Sequence, residues 1–140
     1  MAVSSDGKVL PRVTAATEPF FTALRGKKFI STRCSKCAKI SFPPRLICPA
    51  CGSDQREWVE LSGRGTLYAF TRNRIVPRGL IPEAPYLTAM VDLVEGPRIL
   101  TRLENAVFEE LTIGQPVRVG YKPLSEQIMF FYFEPVPQTR

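Results

Sequence analysis

Apolar positions along this chain change their spacing twice, and each change marks a boundary. Residues 1–16 are polar and carry no apolar period, which reads as a flexible arm. Phe20, Phe21 and Leu24 then recur at near-helical spacing behind Pro19. Thr17 stands where a helix cap belongs, proline is tolerated in a first turn, and Gly26 can end the helix. Residues 27–32 predict a short strand. Residues 40–47 return as an extended stretch stiffened by Pro43 and Pro44. From Trp58 onward the spacing is that of strands. Residues 66–71 alternate as a half-buried strand does, and Gly63 and Gly65 ahead of them predict a bulge or sharp bend. Prolines and a glycine make 76–85 a loop. Residues 86–94 and 98–103 predict a hairpin about Glu95-Gly96-Pro97. Residues 105–111 predict one or two helical turns. Residues 117–121 and 128–133 supply two last strands, dense in β formers.

Five strands with a small helical insert between the third and fourth is the order of an OB-fold barrel. Ahead of the barrel stand two cysteine pairs, Cys34-x-x-Cys37 and Cys48-x-x-Cys51. Two residues between cysteines let a tight knuckle aim both sulfurs at one ion. Two such knuckles supply four soft ligands in a tetrahedron, which suits zinc. The ten residues between the pairs are enough for a hairpin that brings the knuckles together, as in rubredoxin-like ribbons. Structural zinc is the reading favoured; a redox iron site, disulfides and unliganded thiols are the alternatives. The predicted fold class is mostly β: a short N-terminal helix and a rubredoxin-like zinc ribbon, followed by a five-stranded OB-fold barrel. Its divisions are the arm at 1–16, helix and ribbon at 17–56, and barrel at 57–140.

Histidine is absent. That removes the commonest general acid–base, every Ser-His or Cys-His nucleophile, and any zinc site with a histidine ligand. A closed site of four thiolates leaves no open position at which to activate water. Asp, Glu, Lys and Tyr remain open to an enzyme, but the chain is expected not to be catalytic alone. No apolar run approaches the ~20 residues of a membrane-spanning helix, and the first ten residues lack an apolar stretch of signal-peptide type. The cytoplasm is the expected compartment, where four cysteines more often bind metal than form disulfides.

The net charge of +6 is unevenly placed. Residues 1–56 hold 10 Lys/Arg against 3 Asp/Glu, a balance of +7, and residues 57–140 hold 9 against 10. Arg72, Arg74 and Arg78 cluster at the first barrel strand and its loop, where they suit the phosphates of a nucleotide-containing cofactor or of nucleic acid, or simply face solvent. Lys27 and Lys28 are weighed with them as cofactor contacts. With Arg33, Lys36 and Lys39 they also balance the charge of a zinc–thiolate cluster. Tyr68, Phe70, Phe130, Phe131 and Tyr132 are either core residues or platforms for stacking bases. Phe20, Phe21, Phe42, Pro43 and Pro44 are the candidate partner interface, with packing on the ribbon or barrel as the plainer reading of the two helix phenylalanines. Glu109-Glu110 reads as surface. Gly63-Arg64-Gly65 is no phosphate loop, since no Gly-Lys-Ser/Thr follows.

In order, the chain presents Pro19-Phe20-Phe21, a first knuckle, Phe42-Pro43-Pro44-Arg45, a second knuckle, and the run from Trp58 to Tyr68. Ala84-Pro85-Tyr86 and Ile113-Gly114-Gln115-Pro116-Val117 follow. This combination, from about residue 17 to 134, resembles the zinc-ribbon plus OB-fold proteins found beside thiolases and other acyl-coenzyme A enzymes. The resemblance implies a non-catalytic accessory subunit of a heteromeric thiolase or related enzyme, with a thiolase-fold or hydratase/aldolase-type protein as partner. It also implies support for assembly and for an acyl-coenzyme A thioester site shared with that partner. Thiolase chemistry needs a reactive cysteine and a histidine, which would come from the other chain. The alternative is a single-stranded nucleic-acid-binding module, which ribbons and OB barrels both serve. The charge split argues against it, because a barrel that tracks phosphates should be basic.

Overall fold

A computed structural model describes residues 2–3, 9–10, 14–15, 17–76, 78, 85–126 and 128–137. Within the segment read as a flexible arm, β1 (Ala2–Val3) and β2 (Val9–Leu10) pair antiparallel. The rest of that segment, apart from 14–15, lies outside the described residues, as does most of the loop expected at 76–85.

Helix α1 (Glu18–Arg25) forms where the apolar spacing places it, and it buries Phe20 and Leu24, one turn apart on one face. Thr17 is the N-cap residue, but its hydroxyl bonds no helix N–H. Instead Thr17 Oγ1 accepts the Thr14 N–H at 2.9 Å, a local bond that competes with capping. Gly26 ends the helix, its N–H on the Ala23 carbonyl.

The ribbon is a three-stranded antiparallel sheet. β3 (Ile30–Cys34) lies between β4 (Ile40–Ser41) and β5 (Arg56–Glu60). β5 spans the joint between the two expected parts, pairing from Cys34↔Arg56 to Ile30↔Glu60. The chain then crosses at Leu61, whose N–H reaches the Phe29 carbonyl at 2.7 Å.

The barrel consists of β6 (Arg64–Asn73), β7 (Tyr86–Leu93), β8 (Arg98–Leu103), β9 (Pro116–Pro123) and β10 (Met129–Pro135). It closes in the order β6-β7-β8-β10-β9, with β9 returning to β6. The β8/β10 pairing is parallel and the others antiparallel. The helical insert is a single 3-10 turn, Phe108–Glu110. Gly65 sits where β6 meets β7 so closely that a Cβ would lie 2.6 Å from the Asp92 carbonyl oxygen. The expected irregularity follows as a register shift between Leu67 and Ala69.

One core runs through both parts. Leu67, Val91, Val117 and Phe133 fill the barrel. At its ribbon end Phe29 contacts Phe42 and Phe131, each with ring centroids at 5.2 Å, and Phe20 reaches Phe42 at 5.7 Å. Burial of each such ring contributes about 1.5–3 kcal/mol, and edge contacts add roughly 0.5–1.5 kcal/mol. The small ribbon is thereby welded to the barrel rather than tethered to it. Among the described residues no helix is long and apolar enough to cross a membrane.

Candidate metal centre

Each knuckle is built by the same backbone device. Ahead of the first pair, the Cys34 N–H bonds the Lys39 carbonyl and the Ala38 N–H bonds the Cys34 carbonyl. In the second, the Cys48 N–H bonds the Ser53 carbonyl and the Gly52 N–H bonds the Cys48 carbonyl. These turns aim the four sulfurs inward, all within 4.8 Å of one another. Cys34 Sγ lies 3.5 Å from Cys51 Sγ, and Cys37 Sγ lies 3.6 Å from Cys48 Sγ. A tetrahedron with Zn–S bonds of about 2.3 Å has edges of about 3.8 Å, so the cage fits that ion. Neither pair stands at the ~2.05 Å of a disulfide. All four sequence-assigned ligands are therefore brought together, and their soft, anionic set suits zinc.

Backbone amides prepare the thiolates. The Cys37 N–H, 3.4 Å from Cys34 Sγ, is the main cause that holds the Cys34 thiol down to about 6. The Cys51 N–H does the same for Cys48, which is lowered as well. At Cys51 the Ser53 N–H pulls downward, yet Cys34, burial and the other thiols outweigh it and push the group up to about 11. Thiols crowded this closely favour sharing a dication over ionising together. The cage has no open ligand position, so its chemistry is to hold the ribbon.

The basic candidates lie on different elements. Arg72 is engaged, with Nη2 3.3 Å from Glu109 Oε1 and its guanidinium 4.3 Å over the Phe108 ring. Arg74 and Arg78 are exposed. Lys27 and Lys28 are exposed in the turn between α1 and β3. Guanidinium groups also cover the outward aromatic rings. Arg98, which is itself paired with Asp92, lies 3.4 Å over Tyr68, and Arg102 lies 4.0 Å over Tyr86. Of the aromatic candidates Phe131 is core, and Tyr68 points outward at 48% exposure.

The five candidate interface residues do converge. Phe20 is buried, Phe21, Phe42 and Pro44 are half-buried, and Pro43 is exposed. Together they line an apolar groove of about 360 Å3 whose other wall is β8 and β10. Phe21 stacks on Phe130 there, with centroids at 6.3 Å. Sequence reasoning missed Leu100 on that wall, 68% exposed, although β8 alternation with Ile99 inward points it out. It also missed Leu46 and Ile47, exposed at 59% and 58%. Two adjacent apolar residues in a ribbon too small to bury both were the available signal.

The model described as ChsH2, rubredoxin-like zinc ribbon domain, matches residues 22–57, and that described as ChsH2, C-terminal OB-fold domain, matches residues 58–122. A probable enoyl-CoA hydratase alpha subunit of Thermomonospora curvata is 30% identical over 129 residues, 91% of this chain and 40% of that protein. The benzoylsuccinyl-CoA thiolase subunit BbsA of Thauera aromatica is 42% identical over 89 residues, 59% of this chain and 60% of its own length. The chain thus spans less than two thirds of either relative. Among solved structures, a chain of Ltp2-ChsH2(DUF35) aldolase superimposes with a TM-score of 0.78 at 28% identity, covering 90% of this chain and 98% of that one. With both domain models matched in order on the ribbon and barrel described above, the chain belongs to the ChsH2 (DUF35) family of zinc-ribbon and OB-fold proteins.

Proposed function

We propose that this chain is a non-catalytic, zinc-stabilised accessory subunit of a heteromeric acyl-coenzyme A enzyme of thiolase, hydratase or aldolase type. The observation that carries this reading is the match to Ltp2-ChsH2(DUF35) aldolase along 90% of the chain, ribbon and barrel together. The similar hydratase and thiolase chains are themselves named as subunits, which supports it. So does the chemistry of this chain. It has no histidine, and all four of its cysteines face one closed cage. The cysteine nucleophile and histidine base of thiolase-type chemistry therefore come from the partner. Zinc holds the ribbon, and the ribbon and barrel together support the assembly. Arg74 and Arg78, exposed and without partners among the described residues, are the contacts proposed for the coenzyme's phosphates, with Lys27 and Lys28 as further cations.

The test is purification of the tagged chain from its native host at moderate salt, with identification of every co-eluting chain. The expected result is a stoichiometric acyl-coenzyme A enzyme chain, with activity in the joint complex only. Thioester turnover by the pure zinc-loaded chain would overturn the reading.

A further inference from the structure

Between residues 27 and 56 seven Lys/Arg stand against a single carboxylate, Asp54. A zinc held by four thiolates offsets only about two of those charges. Arg33 is paired with Glu57, and Arg56 lies over Trp58 while donating to the Arg45 carbonyl. Lys36, Lys39 and Arg45 are exposed, and their side chains have no partner among the described residues. Lys36 and Lys39 flank Cys37, and Ile47 precedes Cys48. The 3.6 Å between those two sulfurs sets both groups on one end of the ribbon. Leu46 and Ile47 stand there side by side, each more than half exposed.

We propose that this ribbon tip, an apolar Leu46-Ile47 centre inside a rim of Lys36, Lys39 and Arg45, is the docking surface for the enzyme partner. It meets an apolar patch rimmed by carboxylates on that protein. The inference rests on the accessory-subunit reading and gives it a location. Charge complementarity sets the sign of the partner: a basic rim without carboxylates of its own steers and registers an acidic one. The apolar centre sets its class. A phosphate backbone cannot desolvate two aliphatic side chains, and single-stranded nucleic acid is bound on aromatic platforms. The two stretches that form the tip, 33–41 and 45–52, contain no Phe, Tyr or Trp. A second copy of the chain is a poor match, because it carries the same net charge of +6 and five of its carboxylates, Glu57, Asp92, Glu104, Glu109 and Glu134, already hold cations of their own.

The experiment uses the complex of this chain with its co-eluting acyl-coenzyme A enzyme chain, and compares dissociation constants at low and high salt. The variants are Leu46→Ser with Ile47→Ser, and Lys36→Glu with Lys39→Glu. Each is first shown to hold zinc, and Leu46→Ala with Lys36→Gln replaces any that does not. Ile113→Ser, equally exposed on the barrel, is the control. The apolar pair is expected to weaken binding by about tenfold or more at both salts, and the charge pair by about tenfold at low salt and much less at high salt. The control stays within about twofold. Zinc-loaded variants that all bind like wild type would overturn this surface and leave the accessory reading standing. Salt-sensitive binding of oligo-dT, or a self-associated chain, that the lysine variant abolishes would overturn it in favour of those occupants. Absence of any acyl-coenzyme A enzyme chain from the wild-type preparation would overturn both.

Discussion

Ala38 and Gly52 hold the same place in the two knuckles, four residues after the first cysteine of each, and both are left-handed, with φ of 65° and 77°. Each donates its N–H to that cysteine's carbonyl, at 2.8 and 2.9 Å. Only one of them is the residue that the conformation favours. Ala38→Gly is therefore expected to stabilise the zinc-bound ribbon by about 1 kcal/mol, read as a rise in its thermal midpoint. Gly52→Ala should lower it by a similar amount. A Cβ at Gly52 meets nothing within 4 Å, so the loss is conformational and not steric. An unchanged midpoint in both variants would show that the knuckles do not limit ribbon stability.

Removing the metal should act on the two parts unequally. Beyond its aromatic joint to the barrel the ribbon is held by the cage, whereas the barrel has its own core in Leu67, Val91 and Val117. Chelation, or Cys48→Ala, is expected to abolish hydrogen-exchange protection along β3 and β5 first, since a structural zinc supplies on the order of 10 kcal/mol to such a fold. Amides of β6 and β7 should stay protected, with a lower melting temperature because Phe29 and Phe42 lose their anchorage. Simultaneous loss in both parts would mean one cooperative unit.

The aromatic joint can be probed without touching zinc. Phe29 is 2% exposed and contacts Phe42, Phe131 and Phe133. Phe29→Ala should cost roughly 3–5 kcal/mol in urea unfolding of the zinc-saturated protein. Gly65→Ala should cost about 1–3 kcal/mol, because its Cβ would meet backbone that cannot swing aside. A cost below about 1 kcal/mol for Phe29→Ala would mean that the joint collapses around the gap.

Much of this architecture was legible because its signals are local. Cysteine spacing fixes the cage, and period-two alternation from Thr66 to Phe133 fixes the barrel strands. Their partners were not legible. Arg56–Glu60 has no clean alternation to say which sheet it joins, and its place beside β3 shows only in the register from Cys34↔Arg56 to Ile30↔Glu60. Thr17 looks like a capping side chain, but Thr14 takes its oxygen first. Arg72 and Glu109 are 37 positions apart, so charge counting left both on the surface until the barrel closed them into a pair. The interface candidates Phe42, Pro43 and Pro44 carried no periodic signal of their own; the groove exists because α1 lies across from β8 and β10.

That pair divides Arg72, at the end of β6, from Arg74 and Arg78 in the loop after it, and gives them separate tests. Arg72 holds Glu109 and covers Phe108, so Arg72→Ala should cost no more than about 1 kcal/mol of stability, the scale of an exposed ion pair with a ring contact. Arg74 and Arg78 have no side-chain partner among the described residues. If they contact the coenzyme, Arg74→Ala with Arg78→Ala in the assembled enzyme should raise KM for the acyl-coenzyme A by about three- to tenfold. The kcat should not move, because phosphates far from the thioester are held equally in ground and transition states. The KM effect should shrink as salt rises, since both groups are exposed. Arg72→Ala is the matched control, with KM unchanged and stability lowered. Steady-state kinetics of the three complexes at two ionic strengths decides the matter, and an unchanged KM in the double variant would remove the coenzyme from this loop.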